Sequence, residues 1–141
     1  MFWILFACQP EPPVDVESEV VDARPDVLLV TIDTLRADRL GAYGDTLAKT
    51  PNLDRLAAEG MLYTESHAIT PLTLPSHTSI LTGLLPREHG VRDNAGFALE
   101  SRYQTIAEAL SKSGYATGAF VSAYVLSHSW GLDQGFDVYH D

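Results

Sequence analysis

Hydrophobic positions along this chain change their spacing several times, and each change marks an element. Asp26-Val-Leu-Leu-Val-Thr-Ile32 is a short apolar run rich in β-branched residues with no helical period, the pattern of a strand buried on both faces inside a parallel sheet. Thr50 to Gly60 instead carries Leu53, Leu56 and Ala57 as one stripe, with Thr50 as cap, Pro51 in the first turn and Gly60 as stop, which predicts a helix. Met61 to Ser66 predicts a second strand, so the region reads as a β-loop-α-β unit with a right-handed crossover. Thr70 to Gly83 (TPLTLPSHTSILTG) predicts a short helix. Pro75 suits its first turn, where a missing N–H is no loss, and Gly83 suits the left-handed position past its last turn. Leu84 to Gly96 is polar and glycine-bearing and predicts a surface loop. Thr105-Ile-Ala-Glu108 is a capping-box pattern opening a helix through Ser113 that Gly114 ends. Tyr115 to Val121 predicts another buried strand, with Ser122 and Tyr124 just past its carboxyl end, and Trp130 to Asp141 a loop or edge strand. Strands alternating with helices place the chain in the α/β class with a mostly parallel sheet.

The first residues follow a different pattern. Met1 to Ala7 (MFWILFA) is continuously apolar but too short to span a membrane, which takes about 20 such residues. Leu5-Phe-Ala7-Cys8 resembles the lipobox of bacterial lipoproteins, which implies export to the periplasm and membrane attachment through a lipidated Cys8. Gln9 to Pro25 opens with three prolines in five residues and continues into an acidic run, the composition of an extended, disordered tether. The expected organisation is therefore a signal remnant over 1–8, a tether over 9–25 and a catalytic-type domain over 26–141.

Charge and cysteine content narrow the classes. The net charge is -10, which argues against a nucleic-acid partner because phosphate binding needs clustered Lys and Arg. Part of that charge is local, since Glu11, Asp15, Glu17, Glu19 and Asp22 all fall in the tether. Cys8 is the only cysteine, so neither an intrachain disulfide nor a thiolate metal cluster can form. At 141 residues the chain is long enough for one domain. No protein partner is implied.

Candidate chemistry gathers at two places. Asp33 directly follows the first predicted strand, and ligands in open α/β sheets bind beyond the carboxyl ends of the strands, so Asp33 stands where a metal ligand or acid would stand. Thr73 sits at the start of the 70–83 helix, where N–H groups and the helix dipole favour an alkoxide and bind an oxyanion. A plainer role for Thr73 is to cap the helix. Asp38 and Arg39 read as solvated loop charges, paired with each other or with Arg36. His67 reads as a hydrogen-bonded structural residue rather than a ligand.

Together these two stretches resemble a known family. Asp33-Thr-Leu-Arg-Ala-Asp-Arg-Leu-Gly-Ala-Tyr-Gly44 is similar to the first metal-binding motif of the sulfatase family, in the alkaline-phosphatase-like superfamily. Thr73-Leu-Pro75-Ser76-His77 with Thr82-Gly83 resembles its nucleophile signature, Cys/Ser-x-Pro-Ser-Arg followed by Thr-Gly. The His89-Gly-Val-Arg-Asp-Asn94 loop and the Gly-Leu-Asp-Gln-Gly-Phe-Asp ending fit the same N-terminal region, over about Asp26 to Asp141. Two ordered motifs in strand-loop-helix settings are far more specific than either alone. The resemblance implies a three-layer α/β fold of which this chain is an N-terminal fragment. It makes Asp33 and Thr73 ligands of one divalent metal, Ca²⁺ ahead of Mg²⁺, Mn²⁺ or Zn²⁺, and Thr73 the nucleophile. His77 takes the place of the anchoring arginine, and Asn94 that of a substrate-binding asparagine found in phosphonate monoester hydrolases.

Two departures shift the expected chemistry. Sulfatases proper use a formylglycine made from Cys or Ser, and threonine is not a substrate for that conversion. The second of two adjacent family aspartates is here Thr34. Both changes point toward the threonine-nucleophile phosphodiesterases and phosphotransferases of the superfamily, acting on an anionic ester. Complete members run to several hundred residues and supply further metal ligands, so this chain is expected to be inactive alone. The alternative is a catalytically inactive sulfatase-like domain that binds anionic glycans or lipid headgroups.

Overall fold

The computed structural model describes residues 24–141. The chain divides into two units, Met1–Thr31 and Ile32–Asp141. The lipobox-like segment and all of the tether but Arg24 and Pro25 lie outside the described residues. In the first unit the described residues have no regular secondary structure.

The second unit is built from four α-helices, four single-turn 3-10 helices and one pair of strands among the described residues. Helix α1 spans Pro51–Glu59, α2 Thr73–Thr82, α3 Pro86–His89 and α4 Ile106–Lys112, while β1 is Gly118–Phe120 and β2 Val138–His140. The strands are parallel, with Gly118 opposite Val138 and Phe120 opposite His140. Asp137 reinforces the entry to this pair, because its carboxylate accepts the Thr117 N–H at 2.8 Å.

Helix α2 is the element the core is built on. Leu74, Pro75, Thr78 and Ser79 form its buried face, the spacing expected of one side of an α-helix. Leu74 joins Val91, Leu99, Leu126 and Leu132 in the hydrophobic core, with Tyr103, Trp130 and Tyr139 packed around it. Burying a leucine side chain contributes roughly 1.5–3 kcal/mol, and this one immediately follows Thr73. Gly83 ends the helix at φ 71°, its N–H bonded to Ser79 O, as its position predicts.

Helix α4 also forms as its capping box predicts. Thr105 Oγ1 accepts the Glu108 N–H and Glu108 Oε2 accepts the Thr105 N–H. Helix α1 forms with the expected limits, but Thr50 does not cap it. Its hydroxyl accepts the Gly41 N–H and donates to Asp54. Asp54 also accepts the Ala42 N–H, so the helix start is spent on holding the Gly41–Tyr43 turn.

Three expectations are corrected. Residues 26–32 and 61–66 form no strand, so no β-loop-α-β unit is present among the described residues. A strand inside a parallel sheet needs a ladder on each side and cover on each face, and Leu28 is instead 87% exposed and Met61 75%. His67 is no structural anchor either, being exposed with its Nε2 3.9 Å from Glu65. The loop expected over 84–96 contains α3, and His89 and Val91 within it are buried.

Candidate active site

Leu74 fastens the start of α2 to the core, and this leaves Thr73 at the rim. Thr73 is the first residue of α2 and Leu72 its N-cap, so Thr73 is not the cap. Its hydroxyl points to the carboxylate of Asp33, with Oγ1 3.5 Å from Oδ1 and 3.4 Å from Oδ2. These residues are 40 apart in sequence, and the fold brings them together as expected. Both separations exceed the 2.5–3.0 Å of a good O–H···O bond. Asp33 lies in a tight turn closed by Leu35 N–H to Ile32 O. Thr34 within it has φ 57°, a conformation that costs a β-branched residue roughly 1–3 kcal/mol.

The two other predicted residues meet the peptide that follows Thr73. His77, one turn along, has Nδ1 2.8 Å from Thr73 O, and this contact requires a proton on Nδ1 because a carbonyl only accepts. Asn94 Oδ1 accepts the Leu74 N–H at 2.9 Å. With its oxygen committed there, the amide of Asn94 has its NH₂ left to offer. Pro75 has no N–H, and Ser76 N–H bonds Leu72 O. The free donors expected around Thr73 therefore reduce, among the described residues, to the Thr73 N–H and the Asn94 NH₂.

His89 reaches the middle of α2. Its ring is 1% exposed, Nδ1 accepts the Val91 N–H and Nε2 lies 3.1 Å from Ser79 Oγ. That pattern fixes the neutral tautomer with the proton on Nε2, and burial pushes the imidazole pKa down. Pro86 opening a turn that Gly90 closes was the available signal for this buried segment. Beyond the Asp33 turn, Arg36 grips Asp38 through Nε at 2.9 Å and Nη2 at 2.5 Å. The paired guanidinium holds the Asp38 carboxyl below its usual range. Arg39 lies 4.0 Å from Asp45.

Asp33 and Thr73 suit a hard divalent cation in kind. A carboxylate and a hydroxyl are the hard oxygen donors such a cation takes, and they stand 3.4 and 3.5 Å apart. They do not suffice in number, for no group of three or more His, Cys, Asp or Glu side chains is placed to hold a metal among the described residues.

Comparison with known proteins bears on the family of the chain. The sulfatase family model matches residues 25–139. The chain is 33% identical over 110 residues to the N-acetylglucosamine-6-O-sulfatase of Bacteroides thetaiotaomicron, covering 78% of this chain and 20% of that protein. It is 34% identical over 128 residues to the human N-acetylgalactosamine-6-sulfatase, covering 80% and 24%. The phosphonate monoester hydrolase of Agrobacterium radiobacter superposes with a TM-score of 0.71 at 32% identity, covering 82% of this chain and 25% of that one. The chain thus spans a fifth to a quarter of the length of these relatives, and its described residues form part of an alkaline-phosphatase-like α/β fold. On the match across residues 25–139, the chain belongs to the sulfatase family.

Proposed function

We propose that this chain carries the nucleophile-bearing part of a metal-dependent hydrolase of sulfate or phosphate esters, with Thr73 as the nucleophile. The observation that carries the reading is the Thr73 hydroxyl at the first position of α2, facing the Asp33 carboxylate. Asp33 and Thr73 would hold the divalent cation, Ca²⁺ first. When bound, such an ion supplies a lower hydroxyl pKa and neutralises charge on the ester oxygens. Thr73 Oγ would give up its proton and attack the central atom of the ester in line. The bond from that atom to the leaving oxygen would break, and the leaving alkoxide would take up a proton to depart as the alcohol. The group held on Thr73 would pass to water or to an acceptor alcohol, returning the threonine hydroxyl. The Thr73 N–H and the Asn94 NH₂ would stabilise charge on the transferring group's equatorial oxygens. His77 acts as a donor in place of the family's arginine, without the bidentate fork that arginine brings.

Two relatives are named for sulfated amino sugars and a third for phosphonate monoesters, which supports an anionic ester as substrate. Thr73 favours phosphorus, because formylglycine cannot arise from it. Export and anchoring through lipidated Cys8 belong to the same proposal.

The test is turnover of p-nitrophenyl phosphate, bis-p-nitrophenyl phosphate and p-nitrophenyl sulfate by the intact protein, meaning this chain together with the rest of a family-length domain, and by its Thr73→Ala variant. Loss of a nucleophile lowers kcat by about 1,000-fold or more, and the phosphate esters are expected to be the better substrates. Unchanged turnover in Thr73→Ala would remove Thr73 from the mechanism. Retained anionic-glycan binding with no turnover of any ester by the wild type would favour the non-catalytic binding domain.

A further inference from the structure

We propose that His77 and Asn94 form a peptide clamp that positions Thr73, and that this is their main contribution. The proposal rests on Thr73 being the nucleophile. The Thr73–Leu74 peptide is held at both ends by side chains: its carbonyl accepts from His77 Nδ1 at 2.8 Å, and its N–H donates to Asn94 Oδ1 at 2.9 Å. A peptide is planar, so fixing its oxygen and its hydrogen fixes the plane in which Thr73 Cα lies. Thr73 is the first residue of α2, and its helical φ and ψ set the direction of its Cα–Cβ bond from that plane.

Both clamp residues are themselves placed by structure. His77 lies one helical turn from Thr73, so its ring meets that carbonyl on the same face. Asn94 ends the 89–94 segment, which is tied to the middle of α2 by His89 on Ser79 and to the start of α2 by Asn94 on Leu74. Val91 between them is fully buried. The segment therefore lies along α2 as a strap with two fixed points. The Leu74 side chain, also fully buried, fixes the residue from its core side. A threonine nucleophile needs this restraint, because its hydroxyl must keep both its aim at Asp33 and its approach to the ester.

The clamp separates from direct anion binding by which atom matters. Asparagine reproduces the Nδ1 position of histidine and glutamine the Nε2 position. In the intact protein, His77→Gln should lower kcat about 10- to 100-fold, the scale of a small misplacement of a reacting group, with KM within about twofold. His77→Asn should recover most of that loss. The reverse order, or a loss carried by KM, would overturn the clamp in favour of anion anchoring. Asn94→Ala should lower kcat, and combined with His77→Gln should add less than its single effect, since both act on one peptide. Full additivity counts against the clamp.

A second readout does not depend on turnover. The Leu74 amide should be protected from hydrogen exchange in the wild type and in Asn94→Asp, which keeps the acceptor, and should exchange faster in Asn94→Ala. Equal protection in all three overturns the clamp even if Thr73→Ala is inactive. If Thr73→Ala stays active while the exchange pattern holds, the assignment of the nucleophile fails and the clamp on the peptide stands.

Discussion

His89 shows how one buried side chain can set a pH limit on α2. Its Nδ1 accepts from Val91 and its Nε2 faces Ser79, so a second proton would have to enter on Nδ1 against an N–H already there. Burial is the main cause of its lowered pKa, with Glu88 acting weakly in the opposite direction. An imidazole in the unfolded chain takes up its proton near pH 6.5, whereas the folded one stays neutral to lower pH. Between those two values the unfolded state binds more protons, so stability falls as pH falls. The expected result is a loss of folding stability below about pH 6.5, by at most about 1.4 kcal/mol per pH unit. Urea titrations at a series of pH values should show this slope in the wild type. His89→Gln, which keeps a donor toward Ser79, should lack it, and an identical slope in both proteins would show that His89 is not its source.

At the scale of elements, the parts legible in the sequence are those whose limits are set by local chemistry. The Thr105–Glu108 box and the Pro75 and Gly83 punctuation predict α4 and α2 because their hydrogen bonds close within a few residues. Thr50 misleads because its hydroxyl is taken by the Gly41 N–H from the preceding turn and by the Asp54 carboxylate one helical turn on, rather than by an N–H of the first turn of α1. His89 goes unread for a related reason, since its burial depends on α2 packing over a segment that is polar by composition. The start of α4 is also a tertiary joint. Thr105 Oγ1 donates to Gln134 O, and Gly135, at φ 87°, has no room for a Cβ against the Glu108 backbone. Thr105→Ala should therefore lower stability by about 1 kcal/mol through the lost cap, while Thr105→Ser should stay near the wild type. Gly135→Ala should cost about 1–3 kcal/mol through overpacking. Urea midpoints at constant slope measure these values; if Thr105→Ala and Thr105→Ser unfold at the same midpoint, the hydroxyl makes no such joint.

For the whole molecule, what the sequence could show and what these residues form diverge at the sheet. The apolar runs at 26–32 and 61–66 carry a strand pattern but form no strand, and Val27, Leu28, Val30, Met61 and Tyr63 are exposed. An alternating or continuous apolar pattern states what a segment can bury, while the ladder and cover come from other segments. The site divides in the same way. Asp33, Thr73 and His77 stand in two ordered motifs and Asn94 in the loop beyond them, and their side chains gather around the Thr73–Leu74 peptide and the Thr73 hydroxyl. The bonds through the Thr73–Leu74 peptide were not legible, since they depend on side-chain direction. Two oxygen donors fall well short of the six or more that Ca²⁺ takes, and the chain spans only a fifth to a quarter of its relatives. The 141-residue chain produced by itself is therefore expected to hydrolyse neither p-nitrophenyl phosphate nor p-nitrophenyl sulfate, with or without added Ca²⁺, and to bind a hydrophobic dye at its exposed apolar segments. Joining the chain to the rest of a family-length domain should suppress dye binding and create turnover together, because segments that cover the apolar runs would bring further ligands. Turnover by the isolated chain that is lost in Thr73→Ala would show instead that these residues already form a complete site.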